Sequence, residues 1–102
     1  MIPVTILHEA EAELREAVAF YESRSSGLGL DFAKEIKDSV HLLQQFPDRW
    51  PLREDNTRRY LVHRFPYFVV YLFRKNHLWI IAFAHCRQSP VYWSSRIGTT
   101  EP

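Results

Sequence analysis

The chain has 102 residues, 46% hydrophobic and 15% aromatic, with a single cysteine and a formal net charge of +1. That is one domain with one small core, globular in composition rather than disordered. An internal disulfide is excluded, and the longest apolar runs, "YFVVYLF" and "LWIIAFA", fall well short of the roughly 20 residues that span a bilayer.

No basic stretch followed by an apolar core opens the sequence, so a cytoplasmic protein without membrane contacts is expected. The small net charge hides a split. Residues 1–38 hold eight carboxylates and four Lys/Arg, whereas residues 39–102 hold four carboxylates and nine Lys/Arg. From Asn56 to Thr100 there is no Asp or Glu, but there are Arg58, Arg59, Arg64, Arg74, Lys75, Arg87 and Arg96. Such a block either neutralises the acidic half within one fold or presents a basic face to an anionic partner.

"IPVTIL", residues 2–7, is β-branched and apolar and reads as a strand, with Pro3 near its start where an N–H can be spared. "HEAEAELREAVAFYESR" follows with Ala10, Leu14, Ala17, Val18 and Tyr21 at helical spacing. "SSGLGL", residues 25–30, breaks that helix. A second begins with Leu28, Phe32, Ile36, Val40 and Leu43 on one face and ends near Phe46, because Pro47 disfavours helix in the residue before it. Residues 47–56, with two prolines, form a loop.

The period then becomes that of strands. "RRYLVHRF" (58–65) alternates, "YFVVYLF" (67–73) is apolar on both faces as a central strand is, "RKNH" is a hairpin turn, and "LWIIAFAHC" (78–86) returns. Ser89 would cap a short final helix over 89–97, with Pro90 in its first position. The whole reads as an α+β domain over 1–102: an N-terminal strand and an α-hairpin packed on an antiparallel β-sheet, order β-α-α-β-β-β, with a short C-terminal helix or tail frayed over 97–102. One sheet face is expected to stay partly open.

Strict alternation along the last strand puts Trp79, Ile81, Phe83, His85 and Arg87 on one face, and Cys86 on the apolar face of Leu78, Ile80, Ala82 and Ala84. Cys86 is then a core thiol. His63, His77 and His85 lack metal-ligand spacing, and no Gly-rich loop is present, so neither a metal nor another cofactor is expected. On the open face, His85 and Arg87 would meet guanidiniums from Arg58, Arg59 or Arg64 and the aromatic tail residues Tyr92 and Trp93. That suits an anionic partner. Arg64, His85, Arg87 and Tyr92 could instead supply the base, donor and cations of metal-free RNA cleavage. Three lysines in the whole chain are few for gripping RNA by its phosphates.

Several stretches together resemble the RelE/ParE superfamily of bacterial toxins from type II toxin–antitoxin modules. They are "AFYESR", "GLGLDFAKEI", "LLQQFPDRWP", "RRYLVHRFPYFVVYLF" with Arg59, Phe65, Pro66, Tyr67 and Tyr71, and "IIAFAHCRQSPVYWSSR" with His85, Arg87, Pro90, Trp93 and Arg96. The long first helices, the "FPY" turn and the closing pattern look more like the ParE side. Gln88 departs from it, standing where many relatives carry a second arginine.

The resemblance implies a growth-inhibiting toxin, bound and neutralised by an antitoxin, in a heterotetramer or larger complex. ParE-like members poison DNA gyrase and are not known as nucleases. RelE-like members cut mRNA on the ribosome. A toxin homologue that only binds its antitoxin is the third possibility. Target or antitoxin contacts are expected at Arg58, Arg59, Arg64, His85, Arg87, Tyr92, Trp93 and Arg96.

Overall fold

The structure, a computed structural model, describes residues 1–98. Its elements are β1 (Val4–Ile6), α1 (His8–Arg24), α2 (Leu28–Gln45), β2 (Arg58–Leu61), β3 (Tyr67–Arg74), β4 (His77–His85) and α3 (Val91–Gly98). The strands form one sheet in the order β1-β4-β3-β2. β2, β3 and β4 are antiparallel neighbours, as their short turns require. β1 joins the outer side of β4 in parallel, with Val4 opposite Leu78 and Ile6 opposite Ile80. The antiparallel sheet read from the sequence is therefore mixed, because the α-hairpin acts as the crossover that a parallel pair needs.

The α-hairpin covers one sheet face. Ala10 and Ala17 of α1, with Phe32, Ile36 and Leu43 of α2, are buried against Val69, Tyr71, Leu78, Ile80 and Phe83. The helices meet closely where they join. Gly27 precedes α2 at φ 87°, a left-handed conformation suited to glycine. The Glu22 carboxylate accepts the amides of Gly27 and Gly29, each at 2.9 Å. At Gly29 a Cβ would lie 2.6 Å from the Val18 carbonyl oxygen.

The opposite face is not left open over β4. α3 lies on it, and Trp93 is only 2% exposed, packed with Val70, Leu72, Ile81, Ala82 and Ala84. Ser89 Oγ accepts the Val91 amide at 3.3 Å, so the expected cap is in place. Ile97 and Gly98, expected to fray, belong to α3; the expectation for 99–102 falls outside the described residues.

Two local features depart from regular alternation. Val70 pairs with Ala82 but Tyr71 pairs with Ile80, so Ile81 is an extra residue in β4. This β-bulge reverses the faces beyond it. Phe83 joins Leu78 and Ile80 under the hairpin, while Ala82 and Ala84 face α3. Also, β2 stops at Leu61 rather than running to 65. Arg64 adopts φ 72°, and the Val62 amide already bonds the Tyr67 carbonyl at 2.9 Å. The β3–β4 turn is regular: Lys75 and Asn76 both have positive φ, as a type I′ hairpin demands.

The 47–56 loop is fastened from below. Arg58 Nη1 donates to the carbonyls of Trp50 at 2.7 Å and Asp48 at 3.2 Å, and the Tyr71 hydroxyl donates to Pro47 O at 3.0 Å. Burial pushes the Tyr71 phenol up to about 12. Among the described residues no helix is long and apolar enough to cross a membrane.

Gly29→Ala tests the close approach of the hairpin. The new methyl meets backbone, which cannot swing away, so urea unfolding should show a loss of about 1–3 kcal/mol. Unchanged stability would mean that the helices are not this close.

Candidate functional site

The outer edge of β4 is where α1, α3 and the sheet meet. β1 pairs only with its first half, and Leu7 N donates to Ile80 O at 3.0 Å as the last backbone bond on that side. Beyond it the edge is closed by side chains. Arg96 Nη1 donates to Ile81 O at 3.1 Å, and Glu13 Oε1 accepts the Phe83 amide at 3.1 Å. Gln88 Oε1 accepts the His85 amide at 2.8 Å. Glu13 and Arg96 also face each other in two bonds of 3.0 and 3.1 Å, with side chains 18% and 13% exposed. A two-bonded, mostly dry ion pair of this kind fixes orientation as well as distance.

This arrangement reassigns several residues picked out by sequence. Arg96 is engaged by Glu13 and by the strand edge. Trp93 is core, with the Arg59 guanidinium carbon 5.1 Å above its ring. Arg96 lies 5.1 Å over the Tyr92 ring, and burial, followed by the Glu13 carboxylate beside it, raises the Tyr92 hydroxyl well above its ordinary pKa. Arg58 fastens the 47–56 loop.

The other three candidates lie at the end of the sheet where Tyr67 pairs with His85. The His85 ring packs on Tyr67 at 5.3 Å, so the bulge has turned it to the hairpin side rather than the face of Trp79. Its Nδ1 accepts the Arg87 amide at 3.1 Å, which places the neutral ring's proton on Nε2. Arg87 does not continue the strand beside it; β4 has ended, and Arg87 is exposed in the turn. Cys86 is exposed there too, not core, its amide held by Pro66 O at 2.8 Å. Arg64 sits in the neighbouring turn, 3.7 Å from Asp31 and over the Phe65 ring.

Alongside, a hollow of about 240 Å³ is lined by Glu13, Glu16, Phe20, Tyr67 and Gln88 among others. Its carboxylates make it a poor seat for a phosphodiester. Among the described residues no group of three His, Cys, Asp or Glu is placed to hold a metal ion.

Helical periodicity alone does not single out Glu13, since it puts the glutamates of α1 on the solvent face. The signal is nevertheless present: Glu13 lies three residues after Ala10 and four before Ala17, the two buried positions of that helix. Gln88, a departure from the family pattern, satisfies both the amide and, through its own N–H at 2.9 Å, the carbonyl of His85.

The model of the family described as "ParE toxin of type II toxin-antitoxin system, parDE" matches residues 4–90. The chain belongs to the ParE toxin family. Among solved structures, a chain of the "Chromosomal ParDE TA system from P. aeruginosa" is similar, with a TM-score of 0.72 at 19% identity, over 83% of this chain and 96% of that one. At that identity the likeness is one of fold. No curated protein matches the chain. The family match of this ParE chain ends at Pro90, so the roles given to Tyr92, Trp93 and Arg96 rest on the structure alone.

Replacing either partner of the Glu13–Arg96 pair should be costly, because each leaves a mostly buried charge and an unmet strand-edge group. Glu13→Gln and Arg96→Gln should each lose about 2–4 kcal/mol in urea unfolding. In a double-mutant cycle the two should couple by about 1–3 kcal/mol. Additive losses would mean that the pair is not formed in solution.

Proposed function

We propose that this ParE-family chain acts by binding. As a toxin it docks on DNA gyrase and holds the enzyme in a damaging complex with cleaved DNA. An antitoxin neutralises it by laying an acidic segment over the carboxylate-free stretch from Asn56 onward. The ParE-like character of the sequence supports gyrase as the target.

The observation that carries binding over catalysis is the state of the groups that cleavage would use. Tyr92 has a hydroxyl that is hard to ionise and lies beside a carboxylate. Arg64, one of the cations, stands near Asp31. The hollow next to His85 presents Glu16 and the Arg96-paired Glu13, and its lining holds no cation to stabilise a phosphorane. What is left to meet a partner is a rim: Arg59 on one face, with Arg64, His85 and Arg87 at the sheet end. Arg58, Tyr92, Trp93 and Arg96 support that rim from beneath.

Two assays run side by side decide the matter. With purified gyrase and supercoiled plasmid, the chain should cause linear DNA to accumulate after protein digestion. Ribosome-bound mRNA should stay intact in its presence. Cut transcripts with normal gyrase activity would establish the endoribonuclease instead. If neither assay responds and expression of the chain alone is harmless, it is a homologue that only binds antitoxin.

A further inference from the structure

We propose that the hollow between residues 52–55 and β2 is a receptor for one carboxylate of a partner's acidic segment, held between Arg53 and Arg59 with an apolar neighbour resting on Leu52. The identity of the partner rests on the antitoxin reading; the site itself rests on its lining, its charges and its hydrogen bonds.

The hollow measures about 450 Å³ and is lined by Leu52, Arg53, Glu54, Asp55 and Arg59. Its floor is a fixed turn. Asp55 Oδ1 accepts both the amide and the hydroxyl of fully buried Thr57, at 3.0 and 2.6 Å. Arg53 N donates to Thr57 O and Asn56 N to Arg53 O, both at 2.9 Å, with Asn56 at φ 66°. Arg53 and Arg59 are thus presented by a rigid backbone, and the Arg59 guanidinium is oriented further by stacking on Trp93.

Neither arginine has an ion pair among the described residues, where the pairs Lys34–Asp38, Arg64–Asp31 and Arg96–Glu13 engage other side chains. Arg59 Nε is buried and has no acceptor among the described residues. The two cations also oppose each other: burial first, then the Arg53 charge, lowers the Arg59 pKa, and Asp55 offsets this only in part. Asp55 has already given an oxygen to Thr57, and Glu54 pairs with neither arginine. Both guanidiniums line one concave site and neither is engaged by a carboxylate, so charged N–H donors are available there to an oxyanion.

The same lining selects the class of anion. Arg53 and Arg59 are matched in charge by Glu54 and Asp55, so the lining carries no net positive charge to draw in a phosphate dianion or a nucleic-acid backbone, whereas a single carboxylate brings half the charge of that dianion and needs only the hydrogen bonds of the two guanidiniums. Leu52, 58% exposed at the rim, offers an apolar contact that a peptide can use and a phosphate cannot. An Asp or Glu followed by an aliphatic residue fits both features.

The test uses the full chain with ¹⁵N-labelled arginine, titrated with N-acetyl-Asp-Leu-amide, with inorganic phosphate and with a short DNA duplex. The dipeptide should shift the Arg59 Nε–H signal saturably at millimolar concentration. Phosphate and duplex should act only more weakly. Arg53→Gln, whose side chain is exposed and whose turn bonds are all backbone, should fold normally and weaken dipeptide binding about tenfold. Glu54→Gln should tighten it. No shift with the dipeptide, stronger saturation by phosphate or duplex, or undiminished binding to Arg53→Gln would each overturn the site.

The purified antitoxin supplies a second arm, in which Arg53→Gln should weaken the complex to a similar degree. If that antitoxin binds Arg53→Gln and the wild type equally, this site falls while the toxin reading stands. If no antitoxin binds the wild type, the toxin–antitoxin reading falls and the dipeptide result alone judges the site.

Discussion

Glu13 joins three parts of the molecule through one carboxylate. It holds the Arg96 guanidinium of α3 in two bonds and accepts the Phe83 amide from β4, while its own helix packs beneath the sheet. Because Arg96 also donates to Ile81 O, the pair covers the stretch of β4 that β1 is too short to reach. An uncovered strand edge presents unpaired amides and carbonyls on which another chain can add. Here a carboxylate and a guanidinium take the place of the missing strand.

Closure of that edge decides what the surface can do. With α3 fastened, Trp93 fills the second core and Arg59 stacks over it, so a face expected to be half open becomes a packed layer with basic side chains at its margin. Tyr92, which residue type alone would set against RNA, and Arg96, expected to meet a partner, become supports. The residues still facing solvent are spread over two places, the sheet end with Arg64, His85 and Arg87 and the Arg53–Arg59 hollow. Dispersed cations of this kind grip an extended acidic chain more naturally than they assemble a single reacting centre.

Much of this is readable from residue order. The 3.6-residue period of α1 and α2, the two-sided apolar β3, the "RKNH" turn and the Ser89 cap all lie where local chemistry puts them. Two features are not readable, for physical reasons, and a third is easily passed over. The parallel seat of β1 depends on contacts across more than 70 residues, which no local pattern encodes. The bulge at Ile81 leaves no mark in an already apolar run, so alternation misplaces His85, Arg87 and Cys86. Glu13 reads as one more solvated glutamate in a Glu-rich helix, although its spacing from Ala10 and Ala17 puts it on the buried face. The basic block itself is plain, but its division into supporting and outward arginines requires the α3 contacts.

The central claim is that side chains, not a strand, close the outer edge of β4. Hydrogen exchange of the Phe83 amide reads this directly, since that N–H points away from β3 and its acceptor is Glu13. Closure by side chains predicts protection close to that of β4 amides bonded to β3 in the wild type. It also predicts a loss of about 1–2 orders of magnitude in Arg96→Gln, where the carboxylate is no longer held in place. Exchange of the wild-type Phe83 amide at the rate of an open edge, unchanged by Arg96→Gln, would contradict it.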